Sequence, residues 1–428
     1  MDVTQPDYKT AVRQYVASKE ADLLSISHTI HRDPELGLQE HRACELLVST
    51  LRQSGFEVET PVAGLDTAFV ASYRNDKPGP RVGLAAEYDC VPDLGHACGH
   101  NIIAASAVGA ALALRSVVDD TGGSVTVFGT PDEEAVSPES RGGKVVMAED
   151  GVFDDTDVVL MTHPHSGGNV VWDYTFPLKD FNVTFLGKPA HYTLPHEGVN
   201  ALECLLSFLG AVRAMQRNWR SGVMFAFTIV DGGGESPIII PRKASAHVVM
   251  KAFDASYLEE VFSRVEQCAG NIAATMGTQA NVKMNGEYKS TIPNLGLVAL
   301  VRENLRLLDA PVVDPRESQR ALERLDYPGP STDFADVSWV VPGIHWWCSV
   351  GDNPYVLHTP EFAEEVGSTA GDQAVLLASQ VMAMTGVDIL TIPGYLEGIT
   401  EEFTRYKEDG FRNVPGIPPD FLPLPKDS

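Results

Sequence analysis

Seven residues, "GHACGHN" from Gly95 to Asn101, put two histidines and a cysteine into one glycine-containing turn. Three kinds of chemistry use a thiol and imidazoles so close together: a redox couple, a nucleophile with its base, and a metal site. A redox couple is the weakest of them, because no second cysteine stands three residues from Cys98. A nucleophile needs a base and an orienting group, which distance in sequence does not exclude. A metal site is served if the backbone turns sharply at Gly99, so that Cys98 and His100 face one cation. Taken alone, the stretch is equally well read as a buried cysteine beside a helix-capping histidine.

Three further stretches bear on the choice. In "VFGTPDEEA" a strand-like run ends at Gly129, and Glu133 and Glu134 follow in the loop. Adjacent carboxylates can divide labour, one binding a cation while its neighbour stays free as a general base. Most Asp-Glu-Glu runs do neither, but the carboxyl end of a strand is where α/β active sites gather. "DVVLMTHPHS" reads as a buried strand, Val158–Met161, leading to His163, and "YVLHTPEF" puts His358 on a loop after an apolar strand. Either histidine alone is as readily a satisfied turn residue. Together, Cys98, His100, Glu134, His163 and His358 suit a two-metal site with positions left for water or substrate. Glu133 then remains uncoordinated, beside the bridging water. The combination favours metal.

The elements that must position these residues follow from periodicity. Residues 8–54 read as helices stopped by Gly55. Strands are predicted at Ala68–Tyr73, Arg81–Glu87 and Ser124–Gly129, with a small-residue helix at Ile102–Val117. Their alternation suggests a parallel, helix-covered sheet. From Asp180 the style changes: strand Phe181–Leu186, helix Val199–Trp219, strands Gly222–Val230 and Ala244–Phe253, helix Ala255–Met276, strand Gln279–Tyr288. That βαββαβ order is ferredoxin-like. "NLGLVALVRENLRLL" and "GDQAVLLASQVMAMTG" then return to helix. The economical division is an α/β domain of residues 1–178 and 290–428 interrupted by an α+β domain of residues 179–289. The prolines of "NVPGIPPDFLPLPKDS" predict an extended surface tail.

Composition narrows the partners. The 428 residues are 44% hydrophobic and 21% charged, ordinary for a globular protein. A formal charge of −26 argues against nucleic acid and anionic membranes, but not against a small anionic substrate. The amino terminus shows no basic region leading into an apolar run, and apolar stretches such as "NIIAASAVGAALAL" read as too short for a membrane span. Six cysteines without framework spacing read as free thiols of a reducing compartment. The expected location is the cytoplasm.

Seven motifs, taken in order, carry a resemblance: "HRDPELGLQE", "AAEYDCVPDLGHACGHN", "GTPDEEA", "MTHPHS", "GKPAHYTLPHEGVNAL", "PGPSTDFADVSWVVPGIH" and "LHTPEF". They resemble the dinuclear metallopeptidases and amidohydrolases that include aminoacylases, carboxypeptidase G, auxin-conjugate hydrolases and aminobenzoyl-glutamate hydrolases. The likeness is closest to the Cys-Gly-His branch with its dipeptidase-like members. It implies a helix-covered mixed sheet carrying the metals, zinc or manganese, and an inserted ferredoxin-like dimerisation and lid domain. It implies that Cys98, His100, Glu134, His163 and His358 are ligands, Glu133 the general base, and Asp89 a carboxylate that orients a ligand. The more widespread first histidine ligand is here Glu87. His191 in "GKPAH" matches a histidine that stabilises the oxyanion in the partner subunit's site, so a homodimer is expected.

Two positions depart from the family pattern. Ile238 and Lys251 stand where relatives carry an asparagine and an arginine that grip the substrate. Lys251 offers a point charge without arginine's planar fork, and Arg242 is a nearby alternative. Ser331, Thr332 and Asp333 are expected to line the pocket. The expected activity is metal-dependent hydrolysis of an amide in a dipeptide or N-acyl amino acid. Rival readings are an amidase for an unusual pathway-specific amide, a non-hydrolytic ligand-binding relative and a cysteine hydrolase.

Overall fold

Among the described residues, the largest two sets of buried apolar positions lie in different units, and a smaller set covers the other face of the first unit's sheet. The computed structural model describes residues 7–135, 140–171, 175–314 and 329–409. Among these, one unit comprises residues 7–171, 291–314 and 333–409, and the other residues 175–290 and 329–332. The proline-rich tail lies outside the described residues.

In the first unit the helices are α1 (Tyr8–Ser18), α2 (Glu20–Arg32), α3 (His41–Gln53), α4 (His100–Thr121) and α5 (Gly143–Glu149). The strands are β1 (Glu57–Glu59), β2 (Phe69–Arg74), β3 (Arg81–Ala86), β4 (Ser124–Gly129) and β5 (Val158–His165). They form a sheet in the order β1-β2-β4-β3-β5-β10, where β10 is Gly343–Ser349. β4, β3, β5 and β10 run parallel, whereas β1 and β2 are antiparallel. The sheet is therefore mixed, as the resemblance implies, and the parallel pairing suggested by alternation holds from β4 through β3 and β5 to β10. β2 departs because its link to β3, "NDKPGP", is too short for a crossover that would bring the chain back in the parallel direction, so β2 runs opposite to β3 with β4 between them.

The stretch read as too short for a membrane extends to 22 residues in α4. It is long and apolar enough by composition to span one, yet 89% of its apolar window is buried inside the protein. β5 continues past Met161 to His165, so His163 sits within a strand rather than after it. β10, not foreseen from the sequence, sets Trp347 opposite His163. His358 sits in the loop after β10, and Tyr355–Leu357 immediately before it is not strand.

The second half of the chain adds β6 (Leu178–Leu186), α6 (Ala201–Gln216), β7 (Val223–Asp231), β8 (Lys243–Ala252), α7 (Ala255–Met276) and β9 (Gln279–Tyr288). These make the second unit, an antiparallel sheet in the order β7-β8-β6-β9. Alternation does the work: Phe181, Val183 and Phe185 point to one face and pack with Leu205, Phe208 and Val261 of the two helices. Side chains cap both helices, Asn200 on α6 and Asp254 on α7, and left-handed Gly277 ends α7. The first unit resumes with α8 (Leu295–Leu307), α9 (Phe334–Val337), α10 (Pro360–Val366), α11 (Thr369–Thr391) and α12 (Tyr395–Asp409).

Phe208 is fully buried in the second core and packs against Phe185 with ring centroids 6.0 Å apart and the planes tilted by 52°. Phe208→Ala should destabilise the protein by about 3–5 kcal/mol in denaturant-unfolding measurements. An unchanged midpoint would show that this core does not depend on the aromatic pair.

Candidate metal centre

Three remote segments meet at the carboxyl ends of β3, β4 and β5. The turn before α4 is held by Gly99, whose φ of 79° lies in the left-handed region. A Cβ there would stand 2.4 Å from Pro164 Cγ and 3.3 Å from Val366 Cγ1. Glycine thus lets the Cys98–His100 turn sit directly on the residue that follows His163. The loop of His358 is tied to the same turn, its backbone N–H donating to the Ala97 carbonyl at 2.9 Å. His358 itself adopts φ 63°, a left-handed conformation that aims a half-exposed imidazole inward.

The donors converge accordingly. Cys98 Sγ lies 3.4 Å from His163 Nε2, and His358 Nε2 lies 3.4 Å from Glu134 Oε1. His100 Nε2 is 3.9 Å from both Glu134 Oε1 and Glu133 Oε2. Donor atoms of Cys98, His100 and His163 all fall within 4.8 Å of one another, as do those of Cys98, Glu134 and His358. Two nitrogen or oxygen ligands about 2.1 Å from a tetrahedral ion stand about 3.4 Å apart, so these are separations that a shared cation produces. The five residues singled out in the sequence are one cluster.

Hydrogen bonding and charge point the same way. His100 Nδ1 is 2.8 Å from Asp89 Oδ1, and the other Asp89 oxygen accepts from the Glu134 N–H at 2.9 Å. That leaves His100 Nε2 buried without a hydrogen-bond partner, as is Glu134 Oε1. A histidine oriented by a carboxylate through one nitrogen, with the other unshared, is how imidazole is presented to a metal. Burial raises the Cys98 thiol well above its ordinary range. Burial, then Glu87, Glu134 and Asp333, raise the Glu133 carboxyl well above its own. Burial, then His345 and His100, push His163 down, so its ring is neutral and able to ligate. A dry cluster of acids, a thiol and neutral imidazole gains most from divalent cations, and these residues fit them.

Some positioning groups escaped the sequence reading. The Glu40 carboxylate accepts from the Asp132 N–H at 2.9 Å and the Thr67 hydroxyl at 2.9 Å. It thereby clamps the loop at Asp132, which has φ 63° and immediately precedes Glu133. Glu40 lies in "HRDPELGLQE", quoted for its resemblance but given no task. Asp333 is fully buried near Glu133, with its carboxylate held by Lys144. A buried carboxylate needs such a cation, and Gly143-Lys144 carried no signal on its own.

Comparison with known proteins now has a site to refer to. Residues 175–276 match the M20 peptidase dimerisation domain. The mouse Xaa-Arg dipeptidase is 35% identical over 402 residues, covering 89% of this chain and 88% of that protein. The chain belongs to the M20 peptidase family. Membership makes it a metal-dependent hydrolase, and the mixed sheet with an inserted domain is the fold of its structural neighbours. One is an aminohydrolase of methicillin-resistant Staphylococcus aureus, with TM-score 0.71 and 21% identity, covering 90% of this chain and 100% of that one. Another is a dinuclear metal-binding M20 peptidase of Bacillus subtilis, with TM-score 0.62 and 21% identity, covering 87% and 99%.

The remaining candidates of this M20 chain lie in the second unit. His191 is exposed, and its Nδ1 accepts the Thr193 backbone N–H at 3.3 Å, with the Thr193 hydroxyl 2.7 Å away. A backbone N–H can only donate, so the neutral ring carries its proton on Nε2. Lys251 is on β8 opposite Leu178 and Met224, and the Arg242 carbonyl accepts from the Gly187 N–H at 2.8 Å. The Ser331 hydroxyl donates to the Phe176 carbonyl at 2.6 Å, and Thr332 is buried. Ser331 is thus spoken for inside this unit.

Gly99→Ala should cost about 1–2 kcal/mol for the left-handed backbone alone, with the Pro164 contact adding to it. The expected result is a lower melting temperature and a loss of bound metal by elemental analysis. Full metal content in the variant would contradict the placing of the turn.

Proposed function

We propose that this protein hydrolyses the amide bond of dipeptides or N-acyl amino acids at a centre holding two divalent ions. The observation that carries the reading is the convergence of Cys98, His100, Glu134, His163 and His358, with Glu133 alongside. When bound, the ions polarise the scissile carbonyl and acidify water. Glu133 takes the proton of the attacking water and passes it to the leaving nitrogen; its raised proton affinity suits a group that must hold a proton briefly. Asp89 fixes the ring of His100 and, through the Glu134 N–H, the loop that carries both glutamates. His191, from a second copy of the chain, donates Nε2–H to the carbonyl oxygen as its charge develops. Cys98 suits zinc, and the carboxylate and imidazoles also accept manganese.

A homodimer is part of this reading. Its supports are the dimerisation-domain match and the apolar side chains exposed on the second unit, among them Tyr192, Leu194, Val230, Ile238 and Ile239. Light scattering should give twice the chain mass. A cytoplasmic location is proposed on the strength of six free cysteines.

The name of the mouse relative makes dipeptides ending in arginine the first substrates to try, and Ile238 and Lys251 make atypical amines the next. Metal-replete protein incubated with a mixed library of dipeptides and N-acyl amino acids, read by mass spectrometry, should release a free amino acid. Chelation should abolish the turnover, and zinc or manganese restore it. Turnover indifferent to chelation would favour Cys98 as a nucleophile. Glu133→Gln should keep its metal while activity falls at least about a hundredfold; near-native turnover would remove Glu133 from its role.

A further inference from the structure

Beside the ligands lies a charge cluster that the amide chemistry does not use. Glu87 follows β3, Lys144 is the second residue of α5, and Asp333 precedes α9. All three side chains are wholly buried. Lys144 Nζ hydrogen-bonds Asp333 Oδ1 at 2.5 Å and lies 2.6 Å from Glu87 Oε1, an ion pair by distance in which the glutamate oxygen has no aligned hydrogen bond. The Lys144 backbone N–H donates to the second Asp333 oxygen at 2.9 Å, so Asp333 grips main chain and ammonium together. Glu87 Oε2, in contrast, faces His100 Nε2 at 3.4 Å, the spacing found between donors of the centre itself.

Glu87 therefore stands where it could serve either as a sixth ligand or as an anchor. Glu87, Glu133 and Asp333 each offer a carboxylate oxygen within 4.8 Å of the other two. Three such carboxyl groups away from water hold charge only with a cation among them, and the Lys144 ammonium lies against two of the three. Unlike a dissolved ion it cannot leave, and it fills the space between the carboxylates it holds. A Glu87 bound in this way is not free to turn both oxygens toward a metal.

We propose that Lys144 is a built-in cation that locks Glu87 and Asp333 as positioning residues. The lock keeps Glu87 out of the ligand set and keeps the acidic pocket beside Glu133 from taking up a further divalent ion. This rests on the reading of the centre given above. With Glu87 withheld, the centre keeps a donor set rich in sulfur and nitrogen.

The test counts metal on the whole protein. Chains loaded with manganese and passed through gel filtration are analysed by plasma mass spectrometry, and the cobalt(II)-loaded forms by their sulfur-to-cobalt absorption band. Lys144→Met should bind one more ion per chain than the wild type, and Lys144→Met/Glu87→Gln should lose that extra ion. Glu87→Gln alone should match the wild type in ion count and absorption band, because it keeps an oxygen for Lys144. A folded Lys144→Met chain with an unchanged count overturns the lock. So does a Glu87→Gln chain that loses an ion and shifts the band, which would make Glu87 a ligand. If Lys144→Met does not fold, the Glu87→Gln readings decide alone. A wild-type control that binds no divalent ion would overturn the centre and the lock together, and that control distinguishes the two failures.

Discussion

The centre depends on one close contact, the seating of the Cys98-Gly99-His100 turn on Pro164. A side chain at residue 99 would collide with the proline ring, and φ 79° disfavours any residue but glycine. Because that approach is open, Cys98 comes within 3.4 Å of His163, and the turn can receive the His358 loop through the Ala97 carbonyl. Segments separated by scores of residues are thus drawn together by backbone geometry before any ion is considered. An ion's contribution would be to stabilise an arrangement the chain already favours, at donors whose burial makes them poor hosts for unpaired charge.

Around the ligands runs a second tier of acids, each with its own partner. Asp89 holds His100 and the Glu134 N–H, Glu40 holds the Asp132 N–H, and Lys144 holds Glu87 and Asp333. The division separates carboxylates that can ligate from carboxylates that are occupied. Burial makes the division matter, since a free carboxylate here would compete for any cation nearby.

Much of this was legible in the sequence, for identifiable reasons. The strands and helices of the ferredoxin-like unit are predicted to within three residues of their observed ends, because β6 alternates strictly and both helices carry capping residues. The donor residues stood out because cysteine, histidine and paired glutamates at strand ends have few other employments. What stayed hidden was whatever needed the fold to bring it together. β10 has no alternation, since its first four residues are buried on both faces, and so gave no periodic signal. The antiparallel direction of β2 follows from a short link, not from its residues. Lys144, fully buried, reads in sequence as an ordinary helix-start lysine, and only contact with Glu87 and Asp333 shows its charge to be matched. Asp333 is expected at the pocket from the motif shared with the family, but its partner Lys144 is not readable from the sequence.

The most direct test is diffraction from zinc-soaked crystals, with anomalous scattering measured at the zinc edge. The account predicts two peaks among Cys98, His100, Glu134, His163 and His358, with both Glu133 and Glu87 uncoordinated. A single peak, or zinc bound between Glu87 and Asp333 in place of the lysine contact, would contradict it.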